Sequence, residues 1–444
     1  MPSDPADPAL SAAVQAAAAR FSARNPRSAA LHAAAASYMP GGNTRTTLHT
    51  SPFPVYMRSG ESFRVTSEDG HVYTDLVGEF TAGLYGHSHP VIAEAISGCV
   101  SSVGLNLGAQ TAHEVRYAEA ICERFPGLER VRFTNSGTEA NLHALAAARA
   151  FTGKRGVVVF GGGYHGAVLG FAGGKPGRNN VDRGDFTVLS DAYNEDVSAE
   201  WIAEQNDIAA VLVEGMQGSA GAIPGRREWL LKVEEAAKKS VQAGALFILD
   251  EVMTSRLAPG GIASLYGLKP DLRTFGKWLG GGLAFGGLGG RKDVMGVFDP
   301  RSSTALSHGG TFNNNTLAMY VGHAGLSKVY TPEACVQLNA TGNRFRKHLA
   351  ELTKGTKLCF TGVGSLLASH FTDEGLQEIK KEVPENTQLK DLFWYEMMED
   401  GFWLVRRGNI SLILGTPEEE LDRFVASVKA FLERHAELVG APPK

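Results

Sequence analysis

The chain has 444 residues, which is enough for one large α/β domain with satellites or for two to three domains. A hydrophobic content of 43% and a charged content of 20% are typical of a folded globular protein and exclude a disordered one. The formal net charge of -4, with lysines and arginines scattered, predicts no nucleic-acid partner. No run of 18 apolar residues is present, so no membrane span is predicted.

Residues 1–37 are rich in alanine and carry early acidic side chains at Asp4 and Asp7. This pattern favours an amphipathic N-terminal helix, with an organelle transit peptide as the alternative. Widely spaced cysteines without a CxxC pair indicate reduced thiols, no metal site and a cytoplasmic location. These cysteines are Cys99, Cys122, Cys335 and Cys359.

Short apolar runs alternate with helical patterns through the middle of the chain, at residues 131–133, 157–160, 209–213 and 245–249. Such runs predict an α/β fold with a mostly parallel central sheet that has helices on both faces. In such sheets ligands bind at the carboxyl ends of the strands.

The last third of the chain predicts a smaller α+β unit. A short strand is expected at 410–414, followed by a helix with Thr416 as its N-cap, Pro417 at its first position and Glu419 completing a capping box. We predict a large domain at 76–320 and a small domain built from segments 1–75 and 321–444.

The segment 133–141 places Asn-Ser-Gly-Thr between a strand and an alanine-rich helix that ends before Gly153. Ser136 or Thr138 can cap this helix, and Gly137 lets the backbone approach a ligand. The free amides and the positive end of the helix dipole favour an anion. An ordinary helix start without a ligand is the alternative.

Two further segments carry reactive groups. Asp250, at the end of an apolar strand, suits a charge-assisted hydrogen bond to a protonated heterocyclic nitrogen, and a metal ligand or helix cap is an equal alternative. Lys277 has apolar and glycine neighbours, which lower the pKa of its amine and make it a nucleophile, although most lysines lie on the surface.

Gly161, Gly163 and Gly166 follow a strand in a G-x-G-x-x-G pattern, with Asp182 further on. This dinucleotide fingerprint keeps an NAD-dependent oxidoreductase open as an alternative of a different class. With 53 glycines in the chain, the match is expected by chance, so it carries little weight.

Five motifs occur in one order along nearly the whole chain: 133–141, 164–166, 250–254, 276–282 and 310–312. The set resembles the class III, fold type I enzymes that depend on pyridoxal 5'-phosphate (PLP). Within that family it is similar to the branch of β-amino-acid (β-phenylalanine) aminotransferases and glutamate-1-semialdehyde aminomutases, whose early Pro-Gly-Gly-Asn-Thr-Arg stretch also resembles 40–45.

The resemblance implies that Lys277 holds PLP as a Schiff base and then shuttles a proton, while Asp250 keeps the ring nitrogen protonated. It implies that Tyr164 stacks on the ring and that Thr311 reaches the phosphate bound by the other subunit of a homodimer. The other cofactor-binding residues that it implies are Ser136, Gly137 and Thr138 at the phosphate, Glu214 at the phenolic side, Val252 on the second ring face and the adjacent Met253.

A substrate carboxylate needs an anchor, and the planar guanidinium of arginine is suited to it. Arg45 and Arg407 are the predicted anchors, and the aromatic residues Phe53, Tyr56, Phe80, Tyr85 and Phe312 are candidates for the pocket wall. The resemblance therefore implies a ping-pong aminotransferase that moves an amino group from a β-amino acid or related amine to a 2-oxo acid. An aminomutase and a non-catalytic binding protein remain as alternatives.

Overall fold

A computed structural model describes residues 7–239 and 244–442 of the chain. Its β-strands are β1 (Met57–Glu61), β2 (Arg64–Ser67), β3 (Val72–Asp75), β4 (Arg130–Thr134), β5 (Gly156–Phe160), β6 (Phe186–Leu189), β7 (Ile208–Glu214), β8 (Met216–Gln217), β9 (Ile223–Pro224), β10 (Leu246–Asp250), β11 (Leu272–Gly276), β12 (Gly286–Gly290), β13 (Leu358–Val363), β14 (Leu366–Phe371), β15 (Phe402–Trp403) and β16 (Asn409–Ser411). Its α-helices are α1 (Pro8–Arg24), α2 (Pro26–Ala36), α3 (Pro90–Gly98), α4 (Ala112–Arg124), α5 (Gly137–Thr152), α6 (Val197–Ala203), α7 (Arg227–Lys239), α8 (Gly261–Tyr266), α9 (Lys292–Met295), α10 (Thr316–Ala324), α11 (Pro332–Leu352), α12 (Thr387–Glu399), α13 (Glu418–Arg434) and α14 (Ala436–Val439).

The central sheet has the strand order β4-β12-β11-β10-β7-β5-β6, and β12 runs antiparallel to both of its neighbours. The other described strands of this sheet are parallel to one another. Alternate side chains pack on opposite faces: Leu212 and Ile248 lie in the core beneath α5, while Val211 and Phe247 lie in the core beneath α7. Because both faces are covered, the strands are almost uninterrupted apolar runs, as predicted.

The two ends of the chain meet in a smaller sheet. The N-terminal strands β1 to β3 form a sheet in which β15 pairs in parallel with β3, and β13, β14 and β16 form a separate three-stranded sheet. Helix α1 packs on α12 through Phe21, whose ring centroid lies 5.2 Å from that of Trp394. The predicted α/β fold with a smaller α+β unit is confirmed, whereas the exact division at 75 and 320 stays a prediction.

Two local predictions are corrected. The N-terminal region forms two helices, since Pro26 interrupts the pattern after Asn25; residues 1–6 lie outside the described chain. Helix α13 begins at Glu418 and not at Pro417, because Pro417 adopts an extended conformation. The Thr416 hydroxyl donates back to the carbonyl of Ile413 (3.1 Å) and does not cap the helix.

The strand predicted at 410–414 is also shorter, since β16 ends at Ser411. The predicted apolar face of the last helix is confirmed, with Phe424, Val428 and Phe431 fully buried. Among the described residues, no helix is both long enough and apolar enough to cross a membrane.

A buried ion pair fixes the edge of the sheet next to Asp250. Glu251 and Arg273 are both almost fully buried, and the Arg273 Nε donates to Glu251 at 2.7 Å. Glu251 also accepts the amide of Ala263 (2.8 Å), which ties α8 to the end of β10. Successive side chains of an extended segment point to opposite sides, so Glu251 serves the fold while Asp250 remains available to the other side.

We expect Glu251→Gln to lower the free energy of unfolding by about 3–5 kcal/mol, because it leaves the buried Arg273 guanidinium without its counter-charge. The measurement is the urea midpoint of intrinsic fluorescence. Glu235→Gln is the matched control, since Glu235 pairs with Lys239 on the surface and its midpoint should not move. Equal midpoints for both variants would contradict this role of Glu251.

Candidate active site

A cavity of about 1080 Å³ opens at the carboxyl edge of the central sheet, where β4, β5, β7, β10 and β11 end. A cavity of this size accommodates a cofactor together with a small substrate. It is lined by most of the residues that the sequence analysis assigns to cofactor and substrate, namely Arg45, Ser136, Gly137, Thr138, Tyr164, Glu214, Asp250, Val252, Met253, Lys277 and Arg407.

Tyr85 and Thr311 do not line this cavity. Tyr85 is 4% exposed and packs against Trp278, with ring centroids 6.5 Å apart, so its prediction as a substrate contact is corrected. Apolar packing of Leu84 and Tyr85 in one core cluster explains the burial. Thr311 is exposed outside the cavity, and its assignment to the phosphate of another subunit stays a prediction.

Of the aromatic residues considered for the pocket wall, Phe80 lines the cavity. Phe53 is buried in the core of the smaller unit, and the Tyr56 hydroxyl donates to the carbonyl of Gly42 (3.4 Å). Phe312 is exposed beside Thr311. The spacing of aromatic residues along the chain did not distinguish a pocket wall from a core.

The turn between β4 and α5 has the geometry of an anion site. Ser136 is the N-cap and accepts the amide of Glu139 (3.2 Å), and Glu139 in turn accepts the amide of Asn135 (2.8 Å). The first-turn amides of Gly137 and Thr138 have no carbonyl within the helix to bond, so they and the helix dipole favour a phosphate.

Gly137 and Gly286 permit the close packing of this turn. A Cβ atom at Gly137 would lie 2.7 Å from a methyl of Val252, and a Cβ at Gly286 would lie 2.1 Å from the carbonyl oxygen of Ser136. The turn therefore lies directly between β12 and the segment that follows Asp250.

Asp250 is 5% exposed and is held by protein donors. One carboxylate oxygen accepts the His165 ring at Nδ1 (2.8 Å) and the Asn141 amide (2.8 Å), and the other accepts the backbone amide of Val252 (3.0 Å). A carboxylate offers about four acceptor positions, so a further one is available to a donor in the cavity. Sequence reasoning missed His165 and Asn141, although both lie inside the quoted motifs.

Lys277 has a φ of 55°, in the left-handed region, at the end of β11. Its side chain projects into the cavity, and the Nζ atom donates to the carbonyl of Phe80 at 2.7 Å. Burial lowers the pKa of the Lys277 amine to about 8, because the low-dielectric surroundings disfavour the ammonium form.

Glu214 is buried at the end of β7, and its two carboxylate oxygens accept the amides of Tyr164 (2.9 Å) and Gly218 (2.9 Å). Burial raises the pKa of Glu214 to about 7. Glu214 and Lys277 are therefore an acid and a base whose pKa values both lie near neutrality in one cavity, as proton transfer requires.

The two predicted arginine anchors flank one aromatic ring. The Arg45 guanidinium lies 4.9 Å from the centroid of the Phe80 ring and forms an ion pair with Glu79. The Arg407 guanidinium lies 5.9 Å from the same centroid and donates to the Ser219 hydroxyl (3.3 Å).

Arg406, the neighbour of Arg407, faces away from the cavity. Its Nε donates to Asp391 at 2.7 Å, and its guanidinium also bonds the carbonyl of Ser51. The structure thus separates the two consecutive arginines, which the sequence did not.

These residues fit PLP. The anion turn suits its phosphate, the remaining acceptor position of Asp250 suits its protonated ring nitrogen, and the Lys277 amine suits its aldehyde. When bound, PLP supplies an aldehyde that condenses with amines and a protonated ring that withdraws electrons. The exposed ring of Tyr164 and the methyls of Val252 line the same cavity.

Such a cavity, at the carboxyl edge of this sheet, places the protein among the PLP-dependent transferases of fold type I. The family profile described as "Aminotransferase class-III" matches residues 47–417. The chain therefore belongs to the class III aminotransferases and is a PLP-dependent enzyme.

Curated relatives match over almost the full length. An uncharacterised aminotransferase of Schizosaccharomyces pombe is 47% identical, covering 97% of each chain, and the β-phenylalanine transaminase of Variovorax paradoxus is 44% identical, covering 95% of this chain and 96% of that one. A glutamate-1-semialdehyde 2,1-aminomutase of Chloroherpeton thalassium is 33% identical, covering 89% and 94%. The crystal structure of the Variovorax paradoxus β-phenylalanine aminotransferase superposes with a TM-score of 0.92 at 43% identity, covering 98% of this chain and 100% of that one.

The glycines of the apparent dinucleotide fingerprint serve packing. A Cβ at Gly161 would lie 2.1 Å from the carbonyl oxygen of Ser190, and one at Gly166 would lie 2.3 Å from the Thr138 hydroxyl. The residues directly after Gly166 form turns and no helix, so the anion site that the fingerprint requires is missing there. Membership of the aminotransferase family excludes the oxidoreductase reading.

We expect the lowered pKa of Lys277 to be visible in its reactivity. In cofactor-free protein, reductive methylation by formaldehyde and cyanoborohydride should increase with pH around a midpoint of about 8, because the neutral amine is the nucleophile. Surface lysines, with a usual pKa of about 10.4, should react slowly at that pH. Peptide mass spectrometry across a pH series measures this, with Lys277→Gln as the control; labelling of Lys277 no faster than that of surface lysines at pH 8 would contradict it.

Proposed function

We propose that this enzyme transfers the amino group of a β-amino acid with a bulky apolar or aromatic side chain to a 2-oxo acid, in a ping-pong cycle. One observation carries the proposal: Arg45 and Arg407 both lie against the ring of Phe80. The backbone carbonyl of the same residue accepts a hydrogen bond from the Lys277 amine. Two guanidinium groups beside one nucleophilic amine suit two different carboxylate substrates that use the site in turn.

The two anchors differ in their surroundings, which supports a division of labour. Arg45 is half-exposed at the cavity mouth and already pairs with the carboxylate of Glu79, whereas Arg407 bonds the neutral hydroxyl of Ser219. We assign the carboxylate of the amino donor to Arg45 and that of the 2-oxo acid to Arg407.

The part of the cavity that faces the small sheets includes a set of apolar side chains beside the polar Asn409 and Ser411. These apolar residues are Met216, Ala222, Leu366, Leu367 and Ile410. An apolar wall of this kind favours a hydrophobic substituent on the donor. The 44% identity to a β-phenylalanine transaminase supports an aromatic β-amino acid as that donor.

In this proposal each protein group has a defined task in proton transfer. The Lys277 amine, with its lowered pKa, would take the proton from the carbon that loses the amino group and would deliver a proton to the carbon that receives the amino group in the second half of the cycle. The Phe80 carbonyl orients that amine, and the buried Glu214 carboxyl can hold a proton near neutral pH. Hydrogen bonds from His165, Asn141 and the Val252 amide orient the Asp250 carboxylate toward the ring nitrogen.

We also propose a homodimer with shared active sites. Thr311 is exposed outside the cavity of its own chain, which fits its predicted contact with the phosphate of the second subunit. Large apolar side chains are exposed on the same molecule, namely Tyr38 (90% exposed), Leu105, Leu107 and Phe312 (57%). A cytoplasmic location is the accompanying proposal, supported by four cysteines that are free thiols.

Light scattering after size exclusion is expected to give twice the mass of the chain. Thr311→Val should keep that mass but release PLP faster on dialysis, because it removes a hydroxyl donor from the phosphate site. Thr304→Val, an exposed threonine in the same segment, is the control. A monomeric mass, or equal PLP retention in both variants, would overturn the shared site.

The alternative function is a 2,1-aminomutase, favoured by the 33% identity to glutamate-1-semialdehyde aminomutases. An aminomutase moves the amino group within one substrate and needs no acceptor. Turnover of glutamate-1-semialdehyde without any added 2-oxo acid would support it. Turnover that depends on an added 2-oxo acid supports the aminotransferase.

The decisive assay measures glutamate formed from β-phenylalanine and 2-oxoglutarate. We expect Arg45→Ala to lower kcat/KM for β-phenylalanine about 10- to 100-fold, since hydrogen bonds to charged groups contribute about 1.5–3 kcal/mol. Arg407→Ala should lower kcat/KM for 2-oxoglutarate by a similar factor.

Arg406→Ala is the matched control for these variants, because Arg406 bonds Asp391 and not a substrate; both KM values should stay unchanged. Glutamate formation from other donors but not from β-phenylalanine would reject the donor assignment. Equal effects of the two pocket variants on both substrates would reject the division between Arg45 and Arg407.

A further inference from the structure

A left-handed turn lies between Lys277 and the two arginines. Gly78, Glu79, Phe80 and Thr81 have φ values of 51°, 46°, 53° and 80° in succession. Side chains other than glycine rarely adopt this region, and such strained conformations cluster at functional sites.

The turn is fixed at both ends by buried groups. The Asp75 carboxylate accepts the amides of Val77 (2.7 Å) and Gly78 (3.0 Å), and the buried Arg256 donates to the Thr81 carbonyl (3.2 Å). A Cβ at Gly78 would lie 2.9 Å from a methyl of Ile413, so the backbone has little room to shift. Glu79 is therefore presented at a fixed place on the cavity wall.

The Glu79 side chain faces the cavity mouth, with 60% of it exposed, and its carboxylate forms an ion pair with Arg45. Within the described part of the chain, no other side chain bonds that carboxylate. The other carboxylates of the cavity, Glu214 and Asp250, are each bonded by backbone amides. The carboxylate of Glu79 is thus bonded by Arg45, a candidate substrate-binding residue, and by no described group with a purely structural role.

We propose that Glu79 is a specificity-determining residue that serves as an internal counter-ion for Arg45. The inference rests on the proposed function, in which Arg45 anchors the donor carboxylate. A donor with a carboxylate displaces the Glu79 side chain, which rotates into solvent while the fixed turn keeps the Phe80 carbonyl in place for Lys277.

An amine without a carboxylate leaves the pair intact. The guanidinium then keeps a counter-charge while the apolar amine fills the rest of the cavity, so the half-exposed Arg45 does not face an apolar surface without a partner. Glu79 therefore weakens the binding of amino acids slightly and makes amines without a carboxylate acceptable. Discrimination between the two donor types is set by a competing group inside the protein.

Glu79→Gln tests this, since glutamine keeps the size and the backbone preference and removes the charge. In the holoenzyme, we expect calorimetry to show that the unreactive carboxylate 3-phenylpropanoate binds about two- to fivefold more tightly, the range typical of exposed ion pairs. For 1-phenylethylamine as donor, kcat/KM should fall by a similar factor. A general structural defect would weaken both 3-phenylpropanoate binding and the use of 1-phenylethylamine, whereas the counter-ion role predicts that the first improves and the second worsens.

Two controls complete the design. Glu61→Gln, an exposed glutamate on β1, should change neither quantity. In an Arg45→Ala background, Glu79→Gln should leave the 3-phenylpropanoate affinity unchanged, because the charge it competes for is gone.

Unchanged or weaker 3-phenylpropanoate binding by Glu79→Gln, or the same gain in the Arg45→Ala background, overturns the counter-ion role. Failure of the wild-type enzyme to use β-phenylalanine would instead overturn the proposed function. The two failures are distinguishable because 3-phenylpropanoate binding requires no turnover.

Discussion

The site depends on the glycine strand β12, which runs between β4 and β11 (Gly-Gly-Leu-Gly-Gly). It places the ends of β4 and β11 two strand spacings apart, about 10 Å. Side chains at Gly286 and Gly290 would collide with the neighbouring backbone, since a Cβ at Gly286 would lie 2.1 Å from the Ser136 carbonyl oxygen and one at Gly290 would lie 2.0 Å from that of Asp271. A larger residue at Gly286 would therefore push the Ser136 turn away from β12, which lies beside the strand that leads to Lys277.

Burial sets the pKa values of the two titratable groups at the floor of the cavity, Glu214 and Lys277. The pKa of Lys277 falls to about 8 and that of Glu214 rises to about 7, because burial penalises the charged form of each. His165, Asn141 and a backbone amide all donate to the neighbouring Asp250. One cavity thus holds a carboxylate bonded by three protein donors, a carboxyl with a raised pKa and an amine with a lowered pKa.

The sequence predicted those parts of the molecule whose structure is determined by residues that are close together in the chain. Apolar runs identified the central strands, and the order of short motifs predicted Lys277, Asp250 and the Ser136 turn, which the structure brings to one cavity. The prediction of Tyr85 as a substrate contact was wrong, because an aromatic residue near a motif can pack in a core as well as in a pocket wall. Only tertiary contacts decide between the two. The prediction of Thr416 as the N-cap was wrong, because Pro417 is extended and the helix begins one residue later than expected.

The supporting groups were less predictable, for a physical reason. His165 and Asn141 act through Asp250, more than 80 residues away from either in the chain. No local pattern encodes that proximity. Glu79 was missed for a similar reason: its role depends on a backbone conformation that its own side chain does not favour.

Arg256 has a consequence for how molecules reach the cavity. Its fully buried guanidinium bonds the carbonyls of Thr81 and Leu412, and its own carbonyl accepts the Tyr330 hydroxyl (2.7 Å). The turn beneath Lys277 and the segment that directly follows β16 are thereby joined through one cation. Moving these two segments apart would leave a fully buried guanidinium without its acceptors, so we expect them to keep their spacing while molecules enter the cavity.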